Sequence, residues 1–454
     1  MIAVDRSRLP APGAARPFLF PSIEERRLPS GVDVRMVAHT AAPVVSLVAL
    51  VRGGLSADPP DRLGLAAFTA DLLDDGAGAL DGPGLGDALA RIGADVDIQV
   101  WPDATVLAIT TLARHAGRGV QLLADLVRRP HFQAADVERV RGLRLDRLRQ
   151  MRAQAAAVAD RAFMRAIYES HPYGHFAIGD EAGVTAVSAD EVRAFHLGAY
   201  VPAATTIVVA GDVDPAAAHA LVAGAFGDWS GPAATASDAR HGATPEPRQR
   251  VLLVPRQGAP QSEIRVGQIS AARSTPDYHA LLLWNTVLGG QFVSRLNLNL
   301  RQARGYTYGV RSGFDFRRDR GPFSIHTSVQ TRVTGDAVGE ILREVAELMS
   351  TVPVTADELA RAKAAVGLGY PRGFETAQQV ARSVAALALH GLDADHFAQF
   401  VPRLTAVTLE DVAAAAARHV RPDALTAVVV GDPDAVAQGL LDRGLAAERT
   451  ADTA

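Results

Sequence analysis

The sequence predicts an α+β protein of two homologous domains, each a mostly antiparallel sheet with helices packed on one face. Three observations carry that prediction. One stretch occurs twice, as "TAVSADEVRAFHLGAYVPAATTIVVAGD" at 185–212 and "TAVTLEDVAAAAARHVRPDALTAVVVGD" at 405–432. The copies align without a gap at an offset of 220 residues, with 12 of 28 positions identical. Each copy pairs a capping residue with an acid three positions on, Ser188 with Glu191 and Thr408 with Asp411, and then gives a proline, a β-branched run and a Gly-Asp turn. Between the copies lies "SGPAATASDARHGATPEPRQR", which is small, polar, proline-rich and aperiodic, and reads as a linker. A long unit that occurs only twice implies two copies of a domain rather than a solenoid.

The order of elements is similar in the two halves. A strand at 44–52, or at 261–269, leads into a helix. A second helix and a pair of strands follow, in "GLGDALARIGADVDIQVWPDATVLAITTL" and in "VSRLNLNLRQARGYTYGVRSGFDFRRDRGPFSIHTSVQT". Alternating strands joined by turns pair antiparallel. Long Ala/Leu/Arg helices come next, as in "ADVERVRGLRLDRLRQMRAQAAAVADRAFMRAIY". The expected division is an N-terminal extension at 1–21, a first domain at 22–230, a linker at 231–249, a second domain at 250–440 and a tail at 441–454.

The chain has 454 residues, more than one ordinary core accommodates. It is 48% hydrophobic and 21% charged with a formal net charge of -4, so nucleic acid is not an expected partner. Cysteine is absent, which excludes disulfides and Cys-ligated metals. No apolar run is long enough to span a membrane, and no basic segment followed by an apolar one marks a leader. The expected location is cytoplasmic, with the periplasm as the alternative.

Candidate chemistry is sparse. The stretch "GLAAFTADLLDDGAG" at 64–78 follows the strand-like "VVSLVALVRGG" and is an apolar helix pattern without His or Glu. Asp74 and Asp75 near its end read as a solvated helix terminus. His171 and His175 in "HPYGH" have helical spacing, but Pro172 and Gly174 argue for a structural loop. "GPGLG" at 82–86 lacks a preceding strand and a following Lys-Ser/Thr, so it is a weak phosphate signal. With no Gly-x-Ser-x-Gly elbow and no cysteine, a hydrolase with its own nucleophile has little support.

Taken together, "GGLSADPPDRLGLAAF", "HPYGHFAIGDE", the paired "VVAGD" and "VVVGD" strands and "LRQARGYTYGV" resemble the pitrilysin/insulinase family of inverted-motif zinc peptidases, especially its bacterial and mitochondrial-processing branch. The resemblance covers roughly 20–440 and implies half of a clamshell. Active members carry His-x-x-Glu-His after "G-L-A", two zinc ligands and a general base, with a third ligand, a Glu, about 76 residues further on. Those positions here hold Ala67, Ala70, Asp71 and Arg147, so the resemblance implies that no metal is bound by this chain. The segment that receives substrate on an edge strand in catalytic members corresponds to "IGADVDIQV", where Gly93 matches but Asp95 and Asp97 do not. Members of the family also supply an Arg and a Tyr seven apart from the C-terminal domain. Arg301 and Tyr308 match them, with Arg304 as a local competitor.

The resemblance therefore implies a non-catalytic subunit of a heterodimeric zinc metalloendopeptidase. Zinc would sit in a partner with an intact motif, and Arg301 and Tyr308 would act in trans on a peptide substrate. The alternative is a purely structural, peptidase-derived scaffold subunit of a larger complex.

Overall fold

The computed structural model describes residues 18–232 and 243–450. The first half runs β1 (Glu24–Arg27), β2 (Asp33–Ala38), β3 (Val44–Val51), α1 (Leu65–Ala70), a small hairpin of β4 (Gly76–Ala77) and β5 (Leu80–Asp81), α2 (Gly82–Arg91), β6 (Asp95–Val100) and β7 (Thr105–Leu112). Helices α3 (Ala116–Arg128), α4 (Ala134–Ala153), α5 (Ala155–Tyr168), α6 (Glu181–Ala186) and α7 (Ala189–Ala199) follow, then β8 (Thr205–Gly211) and α8 (Pro215–Phe226). The second half runs β9 (Arg250–Pro255), β10 (Gln261–Ile269), α9 (Tyr278–Leu288), a π-helix (Asn297–Ala303), β11 (Val310–Phe314) and β12 (Pro322–Gln330). It continues with α10 (Thr334–Leu348), α11 (Ala356–Gly369), α12 (Ala377–Leu389), α13 (His396–Ala406), α14 (Leu409–His419), β13 (Thr426–Gly431), α15 (Pro433–Leu441) and β14 (Glu448–Arg449).

The two halves form two sheets of matching topology. The first has the order β1-β2-β8-β3-β7-β6, and the second, read from its other end, β14-β9-β13-β10-β12-β11. In each, the strand closing the 28-residue repeat lies parallel to the first long strand and antiparallel to the next, as β8 does to β2 and β3, and β13 to β9 and β10. The repeat forms the same pieces both times: a capping box at Ser188 or Thr408, a helix, a 3-10 turn on Pro202 or Pro422, and a central strand. Glu448 and Arg449, beyond the expected second domain, add a short parallel strand to β9.

One face of each sheet is covered by helices of its own half. In the first, Leu47, Ile109, Ile207 and Val209 pack with Phe68, Leu123, Val222 and Phe226. In the second, Leu253, Ile264, Ile325 and Val429 pack with Leu281, Trp284, Ile341 and Val345. The other face of each sheet is covered by a helix from the opposite half. Val380, Ala381, Val384 and Ala385 of α12 lie on Val48, Leu50, Val106 and Val208 of the first sheet. Val158, Ala159, Phe163 and Ile167 of α5 lie on Leu252, Val254, Val428 and Val430 of the second. Burying each of the valine, leucine, isoleucine and phenylalanine side chains among these is worth roughly 1.5–3 kcal/mol. The exchange explains why β3 and β8 are apolar along both faces rather than alternating.

The exchange also breaks the long helix expected after residue 134. Gln154 takes an extended conformation (φ -97°, ψ 110°) between α4 and α5, which lets α5 leave the first domain. Polar contacts follow the same route. The Tyr173 hydroxyl donates to Asp103 at 2.6 Å and accepts from the Asp319 amide, and the Tyr168 hydroxyl donates to the Arg320 carbonyl at 2.8 Å. The "HPYGH" loop is a 3-10 turn at Pro172–Gly174, and its Tyr173 ring faces Arg317.

Candidate functional site

Helix α1 is positioned from its N-terminal side by Asp58. The fully buried Asp58 carboxylate accepts from the amides of Gly64 (2.7 Å) and Ala66 (2.6 Å), and His175 lies 2.9 Å from it. Gly64 has φ of 92°, and a Cβ there would come within 2.8 Å of Gly179, so the glycine of "G-L-A" is required. Ala67 and Ala70 are buried in the core, and Asp71 closes the helix with its carboxylate half in solvent.

The partner of Asp71 is Arg144, not Arg147. Arg144 lies on the inward stripe of α4 with Val137, Val140 and Leu148. Its Nε and Nη2 each lie 2.9 Å from the Asp71 carboxylate, and Nη1 donates to the Ala177 carbonyl at 2.9 Å. Burial draws the guanidinium below its ordinary pKa, while the charge and hydrogen bonds of Asp71 oppose that shift. Arg147, the residue predicted from sequence to face α1, is exposed, and among the described residues it reaches only Gln150. The prediction misses by about one turn of α4.

The residues around α1 do not fit a zinc ion. Ala67 and Ala70 have no donor atoms, Asp71 is one carboxylate, and Arg144 puts a cation where an anionic ligand would be needed. Among the described residues no three His, Asp or Glu side chains converge. Asp75 is tied to Arg139, and burial raises its pKa, so it is less of a solvated terminus than the sequence suggests. "GPGLG" forms the first turn of α2, capped by Asp81 on the Gly84 amide. Asp97 on the edge strand β6 pairs with Arg382 of α12.

In the second domain Arg301 and Tyr308 lie in one ordered segment between α9 and β11. The π-helix carrying Arg301 is pinned by Asn297, whose side chain donates to the Val310 carbonyl (2.9 Å) and accepts from its amide (3.1 Å). Arg301 lies over the ring of Phe292 at 4.1 Å and has no carboxylate partner among the described residues. Tyr308 stands two residues before β11 and is 95% exposed. Phe292 and Val293 are also exposed, so the segment presents rings and a cation to solvent. Arg304 is different. It pairs with Glu340 at 2.7 Å and with Asn299 at 2.8 Å, which makes it part of the packing against α10. The aromatic partner of Arg301 was not singled out from the sequence, although "GGQF" stands nine residues before it.

Comparison with known proteins assigns the family. A model of the insulinase family, peptidase family M16, matches residues 34–181. A model described as the peptidase M16 inactive domain matches residues 186–366. The chain belongs to the M16 peptidase family, the pitrilysin/insulinase group. The inactive-domain match runs from the last elements of the first domain into the second, whereas the positions of the family's ligand set lie before it. A zinc protease of Mycobacterium tuberculosis, so named, is 25% identical over 89% of this chain and 92% of its own length. The beta subunit of the mitochondrial-processing peptidase of Blastocladiella emersonii is 22% identical over 48% of this chain and 49% of its own. A Pseudomonas fluorescens crystal structure, titled as a peptidase M16 inactive domain, superposes with a TM-score of 0.85 at 25% identity, covering 90% of this chain and 98% of that one. A protease from Helicobacter pylori has the same fold, with a TM-score of 0.85 at 18% identity over 90% of this chain and 100% of that one. The chain is thus a peptidase-derived protein whose first domain lacks the family's metal-ligating set.

Proposed function

We propose that this chain is the non-catalytic subunit of a heterodimeric zinc metalloendopeptidase. It closes the chamber of a catalytic partner that carries the intact motif, and it supplies Arg301 and Tyr308 in trans. The observation that carries this reading is the contrast between two neighbouring arginines. Arg304 is committed to Glu340, while Arg301 and the fully projecting Tyr308 are held on an anchored segment and left without polar partners among the described residues. A scaffold gains nothing from that arrangement.

In this reading an extended peptide adds as a strand to a sheet edge of the partner. Arg301 clamps a backbone carbonyl or carboxylate of the peptide with its fork of donors. The Tyr308 hydroxyl donates to the scissile carbonyl oxygen as it becomes an oxyanion. The printed name of the beta-subunit relative supports a subunit arrangement within this family. The test is co-expression with a family member bearing His-x-x-Glu-His, starting with any encoded beside this gene. Peptide hydrolysis by the pair and by neither chain alone is expected. A stable pair that is no more active than the partner by itself would assign the chain a structural role.

A further inference from the structure

A cavity of about 350 Å³ opens between the lead-in to α1 and helix α7, away from the Arg301 segment. Leu65, Phe195, Ala199 and Val201 give it an apolar wall. Two arginines also line it, and their situations differ. Arg62 is neutralised by Glu191 at 2.7 Å and Asp61 at 3.0 Å. Glu191 is itself occupied by the Ser188 amide (2.8 Å) and hydroxyl (2.9 Å). Arg52 is half-buried, and among the described residues its guanidinium has neither a hydrogen bond nor an ion pair.

The backbone holds Arg52 at this cavity. Its amide donates to the carbonyl of Ala204, another lining residue, at 2.9 Å. The next residue is Gly53, where a Cβ would come within 2.8 Å of the Ala199 side chain. A glycine is therefore what lets the end of β3 press against α7. Across the cavity, a Cβ at Gly198 would meet nothing within 4 Å.

We propose that this cavity binds a small amphipathic monocarboxylate, with its apolar body on Leu65, Phe195 and Val201 and its carboxylate on Arg52. The volume is at the lower end of small-ligand sites, and the wall is apolar with few polar groups, as such sites are. The lining charges, two arginines and two acids, sum to zero, but both acids are engaged by Arg62, so among the described residues Arg52 is the lining charge without a partner. That selects an anion over a cation, and the planar fork of Arg matches a carboxylate. Two sources share this chemistry: a medium-chain alkyl acid, and a peptide C-terminus with an apolar last side chain.

Calorimetric titration of the full chain separates them. The probes are octanoate with octanol as its neutral counterpart, and the dipeptide Gly-Leu with its C-terminal amide. At least one acid should bind about tenfold or more tightly than its neutral counterpart. Arg52→Gln should erase that difference. Gly198→Phe should fill the cavity and abolish binding, with Gly198→Leu as a smaller plug; a melting temperature close to wild type shows that each variant folds. Binding of octanoate alone assigns an alkyl acid, and binding of Gly-Leu alone assigns a peptide terminus. Equal affinity for acid and neutral forms, affinity unchanged by a folded Gly198 variant, or no binding of any probe overturns the proposal.

Discussion

Arg144 and Asp71 stand 73 positions apart in the chain and meet through two contacts of 2.9 Å, a buried guanidinium holding a half-exposed carboxylate at the end of α1. The guanidinium also ties α4 to the Ala177 carbonyl. Removing it takes the partner from the Asp71 carboxylate and the Ala177 carbonyl and empties the buried seat of the arginine, so Arg144→Ala should destabilise the protein by about 2–3 kcal/mol in urea unfolding. Arg147→Ala should stay within about 0.5 kcal/mol, as an exposed substitution does. Equal losses would mean that the wrong arginine has been assigned to this contact.

The purified chain should hold no stoichiometric zinc by elemental analysis. Replacing Ala67→His, Ala70→Glu, Asp71→His and Arg144→Glu together should bring the content to about one zinc per chain. The same set with Arg147→Glu in place of Arg144→Glu should not. Tightly bound zinc in the wild-type chain would undo the alignment of α1 with the family motif.

With a catalytic partner in hand, Tyr308→Phe should leave assembly intact and lower turnover about 10²–10³-fold, the scale of one oxyanion donor. Arg301→Ala should raise apparent KM at least as clearly as it lowers kcat, because a clamp acts on ground and transition states alike. Arg304→Ala should show itself in stability through the lost Glu340 pair, not in rate. Wild-type kinetics for both Tyr308→Phe and Arg301→Ala, in complexes verified by size-exclusion chromatography, would leave the chain a scaffold.

Acid should weaken the fold. Burial pulls His196, His279, His390 and His396 down to about 4. Positive neighbours reinforce this for the last three: Arg273 acts on all of them, and Arg403 on His279 and His396. Unfolded histidine titrates near 6.5, so between that pH and about 4 the unfolded chain binds more protons than the folded one. The stability these groups contribute is complete above about pH 6.5 and is lost progressively as pH falls towards 4. For the deeply buried His196 alone the loss is of the order of 3 kcal/mol below pH 4. Urea midpoints at pH 7.5 and 5.0 should show the decline, and His196→Gln should flatten it.

The exchanged helices should make the two halves unfold together. Val384→Asp places a charge in the interface between α12 and the first sheet, and should cost several kcal/mol. It should lower the midpoint seen by probes in both halves within one transition. Residues 250–450 expressed alone should aggregate or self-associate, because α12 and one face of the second sheet are both left uncovered. A well-behaved, cooperatively folded monomer from that half would refute this.

Much of the fold was legible because it rests on local pattern. The capping boxes at Ser188 and Thr408, the β-branched strands after Pro202 and Pro422, and the strand at 261–269 all announce themselves within a few residues. The mismatch with the family's ligand set at Ala67 and Ala70 is a statement about the sequence itself, since alanine has no donor whatever surrounds it. The helix exchange was not, because the apolar stripe of α5 fits either sheet and nothing in its period says which one. The identity of the arginine facing α1 was also hidden, because spacing between distant elements depends on the loops between them. A usable signal existed within α4 itself: Arg144 is the one charged residue on the stripe of Val137, Val140 and Leu148.

Because α5 and α12 each lie on the sheet of the opposite half, neither half can swing away without stripping a whole apolar helix from its seat. Among the described residues the two halves are thereby locked to one another across both sheets. In the proposed pairing, a mouth for substrate would then open at the joint with the partner. Gating would become an association equilibrium, sensitive to how much partner is present and how tightly it holds, rather than a motion encoded within this polypeptide.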